Sequence, residues 1–69
     1  TAELLAEGTG RVAQKVVEEA GEVAIASVSR PADETASEMA DLLYHSMVLL
    51  TSAGVPAEMV WEELAKRRR

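Results

Sequence analysis

Two stretches of helical hydrophobic periodicity, each about twenty residues long, fill most of a chain of only 69 residues. The first runs from about Gly10 to Ser29. Val12, Val16, Val17, Ala20, Val23, Ala24 and Val28 spread apolar surface over much of its circumference. The second runs from about Ala32 to Ser52, with Met39, Leu42, Leu43, Met47, Leu50 and Ala53 on its apolar arc. A chain this short buries a modest core and cannot cover two such arcs by itself. The predicted fold is therefore all-α: an antiparallel helical hairpin plus a short C-terminal helix, completed into a helical bundle by a second subunit as a homodimer. No sustained two-residue alternation and no hairpin dipeptide argue for a strand.

Glycine and proline punctuate the pattern. The run A-E-L-L-A-E after Thr1 is a good helix former, barely two turns long, and reads as the end of a helix that began upstream. Gly8-Thr9-Gly10 breaks it, and Thr9 is placed to cap the first long helix. Gly21 sits mid-helix, where it costs ~1 kcal/mol against alanine. Its two readings are a tolerated weakness and a close approach of another backbone or a ligand. In the connection, Pro31 suits a first helical position, and Asp33 and Glu34 suit the positive end of the helix dipole. Gly54 is a stop and Pro56 a restart, giving a third helix from about Pro56 to Arg67 with Val60, Trp61 and Leu64 on one side. Residues 1–69 read as one domain, short of N-terminal residues because the chain opens on Thr1.

Composition narrows the function classes. There is no cysteine, which excludes disulfides and zinc-thiolate sites and agrees with a cytoplasmic protein. Phenylalanine is also absent, and Tyr44 and Trp61, the only aromatics, are expected in the core or an interface. The net charge of −5 makes a poor general binder of nucleic acid. Arg67 to Arg69 read as a solvated helix end, where cations suit the dipole. The longest stretch without a charged residue, Leu42 to Ala57, is too short and too polar to span a membrane, and no signal peptide is visible.

Two acidic i, i+3 pairs lie between Lys15 and Asp41, Glu19 with Glu22 and Glu38 with Asp41. At ~100° per residue, Lys15, Glu18, Glu19 and Glu22 fall within ~100° of arc on the first helix. Glu34, Glu38, Asp41 and His45 fall within ~60° on the second. Each strip borders an apolar arc, so packing the helices together would aim at least four carboxylates at one place. Glu18 with Glu22 and Glu34 with Glu38 are like-charge i, i+4 pairs, which destabilise an isolated helix by a few tenths of a kcal/mol each. A feature that costs stability is where function is expected. The simplest cation to relieve the repulsion is a divalent metal held by Glu19, Glu22, Glu38 and Asp41.

Carboxylate-only ligation suits Mg²⁺ or Mn²⁺, and Ca²⁺ less well without a Ca²⁺-binding loop. A di-iron bundle would need two Glu-x-x-His pairs, and His45 is the sole histidine. Mg²⁺ commonly joins carboxylates to phosphates, so the expected substrate is phosphorylated and the chemistry hydrolytic. Glu18 and Glu22 are the candidate bases, and spacing does not separate them. Lys15 and Arg11 read either as helix salt-bridge partners or as phosphate contacts. His45 reads as a ligand-facing hydrogen bonder or a surface histidine.

The segments G-T-G-R-V-A-Q-K-V-V-E-E-A-G-E-V and E-M-A-D-L-L-Y-H-S-M-V-L-L resemble the phosphoribosyl-ATP pyrophosphohydrolase family, within the MazG-like all-α nucleotide pyrophosphohydrolases. That superfamily's E-x-x-E and E-x-x-D signature falls on Glu19, Glu22, Glu38 and Asp41. The forms around Lys15 and Asp41 point to this member. The resemblance implies a homodimer with a helical-bundle core. It implies Mg²⁺-dependent cleavage between the α and β phosphates of phosphoribosyl-ATP, giving phosphoribosyl-AMP and pyrophosphate in histidine biosynthesis. Family members usually carry more helix before the position of Thr1, and Pro56 stands where a serine-type cap is expected. Two other readings are a house-cleaning hydrolase of other nucleoside triphosphates and a non-enzymatic dimerisation module.

Overall fold

Glycine and proline set the helix boundaries in the computed structural model, which describes residues 2–68. Thr1, before the first helical run, and Arg69, the last of the arginine run, lie outside the described residues. Four helices follow in order: α1 (Ala2–Ala6), α2 (Thr9–Ser29), α3 (Ala32–Ala53) and α4 (Ala57–Arg67). No strand occurs among the described residues.

The α1–α2 break is made by Gly8, whose φ of 96° is open to glycine and strained for other residues. Gly8, not Thr9, occupies the cap position, and its carbonyl accepts from Val12 N–H at 3.3 Å. Thr9 is the first helical residue, and its hydroxyl serves another purpose. Thr9 Oγ1 donates to the Ser52 carbonyl at 3.3 Å and shares a 2.7 Å hydrogen bond with Ser52 Oγ. Because the start of α2 is tied to the end of α3, the two long helices run antiparallel.

Pro31 and Pro56 each sit one residue before their helix, at extended ψ values of 158° and 140°. The expected first helical position is thus shifted by one in both. The Pro31 carbonyl accepts from Glu34 N–H at 3.1 Å and Thr35 N–H at 3.2 Å, so the ring fixes the chain's entry while its oxygen starts the ladder. Gly54 ends α3 in the left-handed region at φ 72°. Its N–H reaches Thr51 O at 3.2 Å and Val55 N–H reaches Leu50 O at 2.9 Å, which is the Schellman closure.

The packing of α2 on α3 is the whole tertiary structure of consequence; α1 leans on α2, and α4 touches the rest only slightly. Among the described residues only Val12, Ala26 and Val48 are buried. The Cα atoms span 38 × 35 × 15 Å, so the chain is a flat slab less than half as thick as it is wide. A stable domain normally needs two packed layers. The radius of gyration is 13.6 Å, against about 11 Å for a compact chain of this length. The accessible surface is 5061 Å², against about 4200 Å² for a compact monomer of this mass.

What is left uncovered is apolar. Val28 is 85% exposed, Val17 72% and Leu43 60%. Tyr44 and Trp61 are also exposed, so neither belongs to a core within the chain. The close-approach reading of Gly21 is not met within the chain, since a Cβ there would meet nothing within 4 Å. Lys66 and Arg67 both pair with Glu63, at 3.4 and 3.7 Å, as a solvated charged helix end. No helix of the described residues is long and apolar enough to cross a membrane.

Candidate active site

The hairpin brings the acidic strips of α2 and α3 onto one face, and Glu38 reports it. Its side chain is partly exposed, and its pKa is held above the ordinary value, first by partial loss of solvation and then by the negative charges of Glu22, Asp41 and Glu19. Arg30 pulls it part of the way back. The two acidic pairs picked out by spacing therefore act on one another across the helix interface.

Glu19 is the most sheltered carboxylate with a described ion pair, its side chain 12% exposed. Lys15 Nζ stands 3.3 Å from Glu19 Oε1, the i, i+4 salt bridge that the spacing allows. His45 Nδ1 faces the same oxygen from α3 at 3.7 Å. It also lies 2.8 Å from the Asp41 carbonyl. A carbonyl only accepts, so Nδ1 carries the proton, and in the neutral ring Nε2 holds the lone pair. The Tyr44 ring stands edge-on to His45, with centroids 5.2 Å apart.

Glu22 is exposed, and Arg30 Nη1 approaches its Oε2 at 4.0 Å. Arg30 is the functional candidate that sequence reasoning missed. It is the sole basic residue between Lys15 and Lys66, a signal hidden by its place in the interhelical connection. Arg30 also borders an open cleft of about 520 Å³, with Ser27, Ala32, Thr35, Ala36 and Met39. A second cleft of about 380 Å³ runs along α4 between Val55 and Arg67 and contains no residue of the acidic face.

The remaining candidates stand apart. Glu18 is exposed and accepts from Gln14 Nε2 at 3.3 Å. Neither Glu18 nor Glu34 is among the charges that act on Glu38. Arg11 turns back to Glu7, with Nε 3.9 Å from Oε2.

Among the described residues no three acidic or histidine side chains converge closely enough to enclose an ion. The pattern of contacts supplies the physical reason. Like charges spread their side chains, while Lys15 and Arg30 draw Glu19 and Glu22 toward themselves. The donor set still fits a hard divalent cation. Glu19, Glu22, Glu38 and Asp41 would all offer carboxylate oxygens, and the mutual field on Glu38 is what a cation would relieve. Side-chain rotation alone would have to close the shell.

A helical hairpin whose two long helices share one carboxylate face is the architecture of the MazG-like class. Residues 1–68 match the family described as phosphoribosyl-ATP pyrophosphohydrolase, and the chain belongs to that family. Among its relatives is the phosphoribosyl-ATP pyrophosphatase of Paramagnetospirillum magneticum, 49% identical over 97% of this chain and 62% of the relative. That of Azospirillum brasilense is 52% identical over 97% of this chain and 60% of the relative. The archaeal counterpart from Metallosphaera sedula is 46% identical over 100% of this chain and 74% of the relative. The chain thus spans about three fifths of the length of the two bacterial relatives.

Proposed function

We propose that this chain is the helical core of an enzyme that hydrolyses phosphoribosyl-ATP to phosphoribosyl-AMP and pyrophosphate, a step of histidine biosynthesis. The observation that supports it most is the field on Glu38, where carboxylates of two helices act on one another. The relatives named for this reaction supply the substrate. Glu19, Glu22, Glu38 and Asp41 would hold Mg²⁺, with Mn²⁺ as its substitute, because the donors are all hard oxygens. When bound, the ion neutralises triphosphate charge and makes a water more acidic.

The chain's own residues do the rest. Glu18 and Glu22 are the candidates to take the proton of the attacking water. Glu18 has Gln14 beside it in place of a cation and stands outside the set acting on Glu38, which leaves it for the proton. Lys15 and Arg30 bring positive charge to the acidic face and would turn to phosphate oxygens once a metal takes over their carboxylates. Arg11, one turn before Lys15 in α2, would be the more distant phosphate contact. His45 presents the lone pair of Nε2 to the substrate.

The second layer of the fold would be a second copy of the chain. The exposed surface exceeds that of a compact monomer by roughly the area one partner loses in a standard interface, about 800 Å². Val17, Val28 and Leu43 are the residues it would cover. The enzyme would work in the cytoplasm, without nucleic-acid or membrane partners.

Substrate profiling tests the reading. The kcat/KM for phosphoribosyl-ATP is expected to exceed that for ATP or dUTP. Far better hydrolysis of ATP or dUTP would make this a house-cleaning hydrolase that shares the same carboxylates.

A further inference from the structure

The cleft beside Arg30 and the helix α4 lie at opposite ends of the hairpin. The cleft opens where α2 passes into α3, with Ala32, Ala36 and Met39 as its apolar wall and Arg30 as the one charged residue lining it. α4 leaves the other end, after Gly54, touches the hairpin only slightly, and lends no residue to that cleft. A helix of 11 residues is marginal in water without a tertiary partner. Yet α4 carries an apolar strip of Met59, Val60 and Leu64 with Glu63 among them, and Met59 and Leu64 are more than half exposed.

We infer that α4 of one copy packs in the Arg30 cleft of a second copy, and that the second copy's α4 packs in the first. This rests on the second copy of the proposed function and says which element of it fills which cleft. A two-fold axis across the long helices lays the open end of one hairpin over the closed end of the other, so each chain fills the other's cleft by the same contacts. The strip of Met59 and Leu64 then covers Ala36 and Met39, and Glu63 brings an opposite charge to a cleft whose only charge is Arg30. A two-fold axis along the helices would set Arg30 against Arg30 and leave both copies of α4 bare. Exchange also keeps the carboxylates free for a substrate. Ser27 lies ~140° around α2 from Glu22, and Met39 ~160° around α3 from Asp41, so the cleft opens away from the acidic face. The surface in excess of a compact monomer is of the size that such an interface removes.

Residues 1–69 contain no cysteine, so an introduced pair can report the contact. The test places Met39→Cys and Leu64→Cys, singly and together, in the full-length protein and treats each with oxidised glutathione, with the unsubstituted protein as control. A second pair, Ala36→Cys with Met59→Cys, repeats it, and melting curves of the reduced variants check that they fold. A disulfide forms only where the two backbones lie within about 7 Å. The double variants should run at twice the chain's mass until reductant is added, while each single variant stays at the mass of one chain. Double variants that stay single chains at both pairs, or a dimer from Leu64→Cys alone, overturn the inference. Sedimentation of the wild type separates the two claims. A dimer without a link at either pair keeps the second copy and removes the exchange, and a folded monomer removes both.

Discussion

Arg30, the residue that follows α2, has its Nη1 4.0 Å from Oε2 of Glu22, about two turns back along that helix. An α-helix rises ~12 Å over that span, so the guanidinium folds back along α2 to reach the carboxylate. Helix-pair spacing does not bring it there, because such pairs are three or four residues apart. The carboxylate field does, and Arg30 lowers the pKa of Glu38 on α3 as well.

Replacing Arg30 by glutamine should therefore separate substrate from metal. Loss of one charge-assisted hydrogen bond, ~1.5 kcal/mol, raises KM roughly tenfold. Mn²⁺ affinity should stay or tighten, since a competing cation has gone. Steady-state kinetics and calorimetry check the two halves. A fall in Mn²⁺ affinity at unchanged KM would make Arg30 an organiser of the carboxylates instead.

The raised pKa of Glu38 sets a pH dependence. A carboxyl that binds its proton more tightly when folded stabilises the fold below the ordinary carboxylate value, and that contribution is lost as pH rises through the folded value. Without divalent metal, the protein should melt progressively lower as pH rises from about 4 through the folded pKa of Glu38. Glu38→Gln should flatten that slope, raise the metal-free melting temperature at neutral pH, and abolish any gain from Mg²⁺. Melting curves with and without Mg²⁺ read all three.

Two glycines should respond oppositely to alanine. Gly54 is left-handed at φ 72°, so Gly54→Ala should cost about 1 kcal/mol or more, a drop of roughly 4–8 °C per kcal/mol. Gly21 is helical with open space at its Cβ, so Gly21→Ala should gain up to ~1 kcal/mol. Thermal melts decide it. A loss at Gly21 would mean that a partner's backbone packs there.

Much of this was legible in the sequence because punctuation and periodicity are local. Gly54, Pro31 and Pro56 marked the helix ends within a residue, and the i, i+3 acidic pairs marked the shared face. What depends on reach was hidden. Thr9 looked like a cap until Gly8 took that position and freed its hydroxyl for Ser52. Helical angles put Glu18 and Glu34 on the acidic strips but not in the field on Glu38, because arc says nothing of depth at the interface. Arg30 was passed over as part of a turn, since its long side chain and not its backbone brings it to the site.

The exposed Leu43 should mark the interface between two copies of the chain. Leu43→Glu should give a largely unfolded monomer, because a charge buried without a partner costs several kcal/mol and the flat chain has little core of its own. Sedimentation with circular dichroism is the check. A folded wild-type monomer at micromolar concentration would remove the need for a second copy.

The most direct measurement mixes the full-length protein with phosphoribosyl-ATP and follows both products with and without Mg²⁺. The account predicts one pyrophosphate for each phosphoribosyl-AMP, no turnover after chelation, and recovery when Mg²⁺ or Mn²⁺ is restored. Release of orthophosphate, or turnover that survives both chelation and the substitution Glu38→Gln, would contradict it.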